Sequence, residues 1–224
     1  MKANLREKIN NIYPCDERFG SARLVKFSVT AKEVMHAKFM SSLACKWKEY
    51  YDFEPGDYVK LIADGELVMS NTNMEIRTNM EFINMATGDV LIGGLGIGLV
   101  AIAIAEKRDV KSITIIEKNS DVIELVWKHL RKHNQFRDKV KIISDDVFKY
   151  VTKDKFDVLY FDIWNQVSST NYEQMKELTK KYLKNKRNRA SVILHWRKED
   201  CRKMYRDEER NYSNNFAALT GRMY

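Results

Sequence analysis

One stretch constrains this chain more than any other: Asp89-Val-Leu-Ile-Gly-Gly-Leu-Gly-Ile-Gly98, followed at Ile113-Thr-Ile-Ile-Glu117 by a second apolar run that ends in an acid. The first run is closed by glycines at 93, 94, 96 and 98, and a helix-like segment, Leu99 to Glu106, begins at once. A strand, a glycine turn, a helix and a second strand ending in a carboxylate form the βαβ unit that binds a nucleoside-bearing cofactor. The glycines permit a tight turn and close approach of a ligand. The acid, about twenty residues beyond them, accepts hydrogen bonds from ribose hydroxyls.

The same alternation continues to the end of the chain. Strands are expected over 89–92, 112–116, 140–143, 156–161 and 191–195. Helices are expected over about 98–107, 120–133 with Ser120 as N-cap, 147–151, 171–183 and 198–209. Strands alternating with helices predict an α/β fold, a doubly wound parallel sheet of order 3-2-1-4-5. The residues after His195 are mostly charged and helical, so no antiparallel hairpin is expected to close that sheet. His129 and His133 share a helix face without an acid or cysteine to complete a metal set, and are expected to be solvated; no metal site is foreseen.

Upstream, Thr30-Ala-Lys-Glu33 fits a capping box. Behind it Met35, Phe39, Leu43, Trp47 and Tyr51 recur every four residues, the pattern of a helix face packed in a core, and also a candidate oligomer interface. Glu54-Pro-Gly-Asp57 should end that helix. Asp64-Gly65 between Tyr58–Ala63 and Glu66–Met69 predicts a two-residue hairpin, and a polar stretch from Ser70 leads to a short helix over 80–85. The expected division is an N-terminal helix and hairpin, 1–85, and a Rossmann-like domain with a basic helical end, 86–224.

A formal charge of +8 permits a polyanionic partner. The excess gathers at Lys180, Lys181, Lys184, Lys186, Arg187 and Arg189, and again at Arg197, Lys198, Arg202, Lys203 and Arg206. A solvated face is favoured over a nucleic-acid surface, because charge runs are usually solvated and no aromatic-interleaved motif accompanies them. Three separated cysteines, an N-terminus without an apolar core and no long apolar run point to a cytoplasmic protein with no membrane partner.

The motifs resemble the class I AdoMet-dependent transferases, and within them the spermidine synthase-like branch. The resemblance rests on the glycine loop, on Glu117, on Ile143-Ser-Asp-Asp-Val-Phe148 and on Tyr160-Phe-Asp-Ile-Trp-Asn165, and spans about residues 58 to 195. It implies that Gly93, Gly94, Leu95, Gly96 and Gly98 pass the methionine part of the cofactor and that Glu117, beside Lys118, holds the ribose. Asp145 or Asp146, beside Val147, would meet the adenine, the other acid capping the helix expected after it. Asp162 would stand where substrate and sulfonium meet, as both cofactor contact and catalytic carboxylate. Glu75, Trp164, Asn165, His195 and Trp196 are the candidate substrate residues. From Gly94 the order is Gly-x-Gly-x-Gly rather than Gly-x-Gly-x-x-Gly, and several acids at strand ends suit a cationic cofactor better than a pyrophosphate.

The Gly-Gly start, with Ile92 where many methyltransferases carry an acid, and the upstream hairpin look like the spermidine synthase branch. Against polyamine synthesis, Asn73 and Asn165 stand where that branch has carboxylates. The reading is therefore an AdoMet-dependent methyltransferase of unknown acceptor. The alternatives are an aminopropyltransferase using decarboxylated AdoMet and a catalytically silent AdoMet-binding protein.

Overall fold

In the computed structural model, which describes residues 2–44 and 53–220, helix α1 (Lys2–Ile12) leads into an antiparallel sheet. Its strands β1 (Glu17–Phe19), β2 (Ala22–Val29), β3 (Gly56–Ala63) and β4 (Glu66–Ser70) lie in chain order, with α2 (Ala31–Ala44) between β2 and β3. The sequence marks only α2 and the β3–β4 hairpin. Helix α1 and strands β1 and β2 are additions, carried by short segments of uneven pattern. At the hairpin Asp64 and Gly65 have φ of 53° and 83°, and Ala63 pairs with Glu66. Two left-handed residues match the turn to the twist of its strands.

The capping box forms: Glu33 N donates to Thr30 Oγ1 at 3.2 Å and Thr30 N to Glu33 Oε2 at 2.7 Å. The apolar stripe behind it is not core, however. Met35 is 69% and Phe39 60% exposed, while the neighbouring Val34 is the residue that turns inward. Periodicity shows that a face is apolar, and it does not say that the same chain covers it. The Leu43 side chain, Trp47 and Tyr51 lie outside the described residues.

Helix α3 (Asn73–Met85) starts seven residues before the expected 80–85. Its inward face is Asn73, Ile76, Asn79, Phe82 and Ile83, so two amides interrupt the apolar period in the sequence. Then come β5 (Gly88–Gly93), α4 (Leu99–Ile104), β6 (Val110–Glu117), α5 (Ser120–Leu130), α6 (Asn134–Lys139), β7 (Val140–Ser144) and β8 (Val158–Phe161). Helix α7 (Ser169–Tyr182), β9 (Val192–His195) and α8 (Lys198–Thr220) complete the described chain. The second sheet is parallel, in the order β7-β6-β5-β8-β9, which is the doubly wound 3-2-1-4-5 arrangement. No antiparallel hairpin follows β9 among the described residues; α8 runs on to Thr220 instead, beyond the expected 209.

Three local expectations are corrected. Asn119, not Ser120, caps α5, its side chain accepting from the backbone N–H groups of Asp121 and Val122. Residues 147–151 form a turn rather than a helix: Asp146 Oδ1 accepts from Phe148 N, and the Asp146 carbonyl from Lys149 N and Tyr150 N. His129 is buried and meets Glu17 Oε2 at 2.5 Å, with Lys128 on the other oxygen of that carboxylate, so β1 is clasped to α5. The partner of His129 comes from the strand that the sequence did not reveal.

Two cores flank the parallel sheet. The larger joins α1, α3, α4 and α5 to one face and takes in β2 and β3. The smaller places Met175, Leu178 and Tyr182 of α7 and Cys201 of α8 on the other face. With both faces covered, the inner strand β8 is apolar and buried at all four residues.

Candidate active site

The carboxyl ends of β5, β6, β7 and β8 open into one cleft of about 320 Å³, and the β3–β4 hairpin forms its outer wall. This is where an open parallel sheet binds ligands, because the strand order reverses between β5 and β8. From the glycine loop, Gly94 and Gly96 line the cleft. Gly94 has φ +94°, and a Cβ there would stand 2.2 Å from the Asp162 carbonyl oxygen. Gly96 has φ +50°, and its missing Cβ leaves room for the Met69 sulfur of β4. Gly93 is packed against Phe161 and Val147, and Gly98 is the N-cap of α4; neither lines the cleft, nor does Leu95, which is buried beneath the loop. These three shape the loop from behind. Tyr13, from the segment after α1, braces it by donating its hydroxyl to the Ile97 carbonyl at 2.7 Å.

Glu117, Lys118 and Asn119 enter from the end of β6. Both Glu117 oxygens are engaged: Leu95 N donates to Oε2 at 2.8 Å and Asn119 N to Oε1 at 2.9 Å. Asp145, Asp146 and Val147 enter after β7. Asp145 N continues the ladder to the Glu117 carbonyl, and Asp146 is the acid that caps the following turn. Asp145 Oδ1 in turn accepts from Asp146 N at 2.7 Å, so each of the two acids carries one backbone hydrogen bond.

Asp162 follows β8 directly. Its backbone N–H donates to the Gly93 carbonyl at 2.9 Å, which sets its side chain beside the glycine loop. Burial, together with the negative charge of Glu75, pushes the Asp162 carboxyl well above the usual carboxylate range, against the nearby Asn79 amide, which lowers it. Asp162 Oδ2 is buried with no partner. Trp164 and Asn165 continue the same wall. Trp164 belongs to the smaller core and donates its ring N–H to Gln174 Oε1 at 2.6 Å, while Asn165 Nδ2 donates to Glu66 Oε2 at 3.1 Å.

The remaining candidates fall outside the cleft. Successive residues of β9 point to opposite faces. His195 therefore packs toward α7, its Nε2 2.7 Å from Thr179 Oγ1 and its ring against Phe161, and Trp196 packs toward α3, donating to Thr78 Oγ1 at 3.0 Å. Burial holds the His195 imidazolium down to about 3, so the ring is neutral. Glu75 sits in the first turn of α3, partly buried; burial raises it to about 7, against a backbone N–H from Ser70 and the charge of Arg197. It reaches the site through its field on Asp162 rather than as a wall.

Sequence reasoning missed the hairpin's contribution. Ala63, Asp64, Glu66 and Met69 line the cleft, and only the topology brings the tip of an antiparallel hairpin over the edge of a parallel sheet. The cleft carries six carboxyl groups, of Asp64, Glu66, Glu117, Asp145, Asp146 and Asp162, against one ammonium, of Lys118. On a chain of net charge +8 that is a local reversal of sign. Part of the basic excess is spent inside the fold: Lys181 donates to the Phe148 carbonyl and Arg187 pairs with Asp89 and Asp157. No described helix is long and apolar enough to cross a membrane.

The strand order and the edge on which the site lies define a class I AdoMet-dependent transferase fold, of the spermidine synthase-like branch. Residues 74–202 match the spermine/spermidine synthase domain, and the chain belongs to that family. No curated protein matches the chain. Among solved structures, spermidine synthase from Thermotoga maritima is 21% identical over 54% of this chain and 46% of its own, with a TM-score of 0.39. A spermidine synthase in complex with the transition state analogue AdoDATO is 22% identical over 54% and 45%, with a TM-score of 0.39. The glycopeptide N-methyltransferase MtfA, complexed with S-adenosyl-L-methionine, is 14% identical over 53% and 48%, with a TM-score of 0.42. The chain spans about half the length of these structures.

Proposed function

We propose that this chain is a transferase that binds AdoMet, or its decarboxylated form, in the acid-lined cleft and passes a carbon group to an acceptor. The observation that carries the reading is Asp162: a buried carboxyl with an unpartnered oxygen, at the wall where the glycine loop and β8 meet. Buried carboxylates are rarely left without a counterpart, and a cation is the natural one. The glycine loop that lines the cleft at Gly94 and Gly96 and the excess of carboxyl groups also fit a cationic nucleoside. When bound, the sulfonium supplies an electrophilic carbon and a neutral thioether leaving group. Glu117 would hold the ribose with the lone pairs left beside its two backbone bonds, and Asp145 would meet the base. Asp162 would orient the acceptor and take its proton, and the hairpin and Trp164 would exclude water.

Methyl transfer is the first reading, because amides stand at 73 and 165 and Asn73 does not line the cleft. Aminopropyl transfer is the second, and two observations favour it. The family is the spermine/spermidine synthase domain, and Glu66 places a carboxylate next to Asn165. Calorimetric titration with AdoMet and with decarboxylated AdoMet tests the cofactor, and mass spectrometry of products from a panel of amines and methyl acceptors tests the reaction. Heat that disappears in Glu117→Ala, with methylated or aminopropylated product, supports the reading. Binding without turnover would leave a silent binder, and no heat with either cofactor overturns the proposal.

A further inference from the structure

The glycine loop has four glycines in six residues, and Gly94, Gly96 and Gly98 all have positive φ. Such a segment has many alternative conformations, so its shape on the cleft wall must come from contacts made to it. The half that leaves β5 is tied by Gly94 N to the Ile116 carbonyl at 2.8 Å and by Leu95 N to Glu117. The half that enters α4 is held from two other elements. Leu130, at the end of α5, fills the space of a Cβ at Gly98, which would stand 2.8 Å from its Cδ1. The Tyr13 hydroxyl donates to the Ile97 carbonyl at 2.7 Å, across 84 positions of sequence, and both residues are fully buried. Gly96, which lines the cleft, thus stands between a donor fixed by Glu117 and an acceptor fixed by Tyr13.

Tyr13 is itself anchored. Its N–H closes the last turn of α1 on the Ile9 carbonyl at 3.1 Å, and its ring meets the His129 ring edge-on, centroids 5.3 Å apart. His129 and Lys128 of α5 in turn share the carboxylate of Glu17 on β1. A carboxylate only accepts, so His129 Nε2 carries the proton of that bond. The turn after β1 reaches the other end of α5, where Ser21 N donates to Asp121 Oδ2 at 2.8 Å. The path from the outer strand to the glycine loop is continuous: Glu17, His129, Tyr13, Ile97.

We propose that the segment from Tyr13 to Glu17 is a brace for the cofactor loop, in which Tyr13 is a positioning residue for Gly96 and Glu17 anchors the brace to α5. The inference rests on the reading that the glycine loop receives the cofactor. Both residues precede the stretch 74–202 that matches the spermine/spermidine synthase domain, so the brace belongs to the N-terminal part of this chain. Tyr13, Glu17 and Ile97 do not line the cleft, and the brace acts on the shape of the loop alone. A loop that spends part of its time in other shapes binds in proportion to the fraction that is ordered. Loosening the brace therefore weakens cofactor binding without removing any contact in the cleft.

The test is amide hydrogen exchange of the intact chain without cofactor, followed by calorimetry with AdoMet and decarboxylated AdoMet. Exchange is read by NMR at Leu95 and Gly98, whose N–H groups donate to Glu117 and to the Leu95 carbonyl, and at the β5–β6 ladder. Tyr13→Phe removes one hydroxyl and keeps the ring. It should quicken the loop amides about tenfold more than the ladder, the effect of one buried hydrogen bond on a local opening. It should also weaken cofactor binding about fivefold. Glu17→Gln, which takes the charge from both α5 partners, should move both readings less and in the same direction. Ile113→Val, a β6 core substitution off this path, should leave the ratio of loop to ladder exchange unmoved. If Tyr13→Phe does not fold, Glu17→Gln carries the test. Loop and ladder quickened by the same factor, or not at all, would make Tyr13 a packing residue and overturn the inference. A loosened loop with unchanged affinity would overturn it too, by separating the brace from the site. If the parent chain binds neither cofactor, the proposed function falls, and the exchange ratio still decides whether the brace holds the loop.

Discussion

Leu95 gives its backbone N–H to Glu117 Oε2 at 2.8 Å, so the acid that ends β6 ties down the glycine loop that ends β5. The same carboxylate accepts from Asn119 N with its other oxygen, at the entry to α5. One side chain thus organises two loops and also stands at the ribose position of the proposed site. Stability and binding should separate on substitution. Glu117→Ala leaves two backbone donors without an acceptor and should cost about 1–3 kcal/mol. Glu117→Gln keeps one carbonyl acceptor and should lose less stability while still weakening cofactor binding at least tenfold. Urea denaturation paired with calorimetry distinguishes the two. Equal losses of stability in both variants, with unchanged affinity, would confine Glu117 to loop structure.

Gly94 and Gly65 both have positive φ, +94° and +83°, but differ in what surrounds them. A Cβ at Gly94 meets the Asp162 carbonyl oxygen at 2.2 Å, whereas at Gly65 it meets nothing within 4 Å. Gly65→Ala should therefore cost only the backbone strain, about 1 kcal/mol, and leave the cleft unchanged. Gly94→Ala must also move the chain that carries Asp162, and should cost more than about 2 kcal/mol and abolish cofactor binding. Thermal denaturation with AdoMet titration checks both. A Gly94→Ala protein that binds normally would mean that the loop and β8 part without consequence.

These contrasts show what was legible in the sequence. The order of the parallel sheet and its approximate strand positions were, because each strand is built on an apolar run and four of the five, β5 to β8, end at or beside a glycine or an acid. The site was partly legible, since Gly94, Glu117, Asp145 and Asp162 owe their places to strand ends. His195 and Trp196 look equivalent as a strand terminus, yet the alternation of β9 sends them to opposite cores and neither to the cleft. Asn79 falls in the polar stretch from Ser70, and its bond from the Tyr160 hydroxyl appears only when α3 and β8 pack together. Asp64 and Glu66 read as hairpin punctuation until the hairpin tip is placed over the other sheet.

Two buried groups give stability opposite pH dependences. Glu75, raised from 4.5 to about 7, binds its proton more tightly in the folded chain. Its contribution is full below about pH 4.5 and is lost as pH rises to about 7. Asp162, also raised, acts with the same sign. His195, lowered from 6.5 to about 3, refuses a proton that the unfolded chain accepts. Its contribution is full above about pH 6.5 and is lost as pH falls toward 3. Urea midpoints measured from pH 4 to 8 should show Glu75→Gln flattening part of the decline toward neutral pH, the remainder belonging to Asp162. His195→Gln should flatten part of the decline toward acid. A Glu75→Gln curve parallel to that of the parent between pH 4.5 and 7 would contradict the assignment.

The hairpin tip is tied to both sides of the cleft. Asn119 Nδ2 donates to Asp64 Oδ2 at 3.1 Å at the β6 side, and Asn165 Nδ2 to Glu66 Oε2 at 3.1 Å at the β8 side. Both contacts are exposed, so each should matter little to global stability, within about 0.5 kcal/mol. Their effect should instead fall on residence time, if the tied tip holds a ligand in the cleft that it lines. Replacing Asp64 and Glu66 together by alanine should speed AdoMet dissociation about tenfold and leave the urea midpoint nearly unchanged. Loss of negative charge alone could imitate this, but a charge effect is screened by salt. Asn165→Ala leaves every cleft carboxylate in place and removes one tie. Stopped-flow dissociation at low and high salt then decides the matter. A faster release in Asn165→Ala that persists at high salt identifies a mechanical strap. Parent-like release in Asn165→Ala, with a salt-sensitive effect in the double variant, assigns the hairpin acids to charge alone.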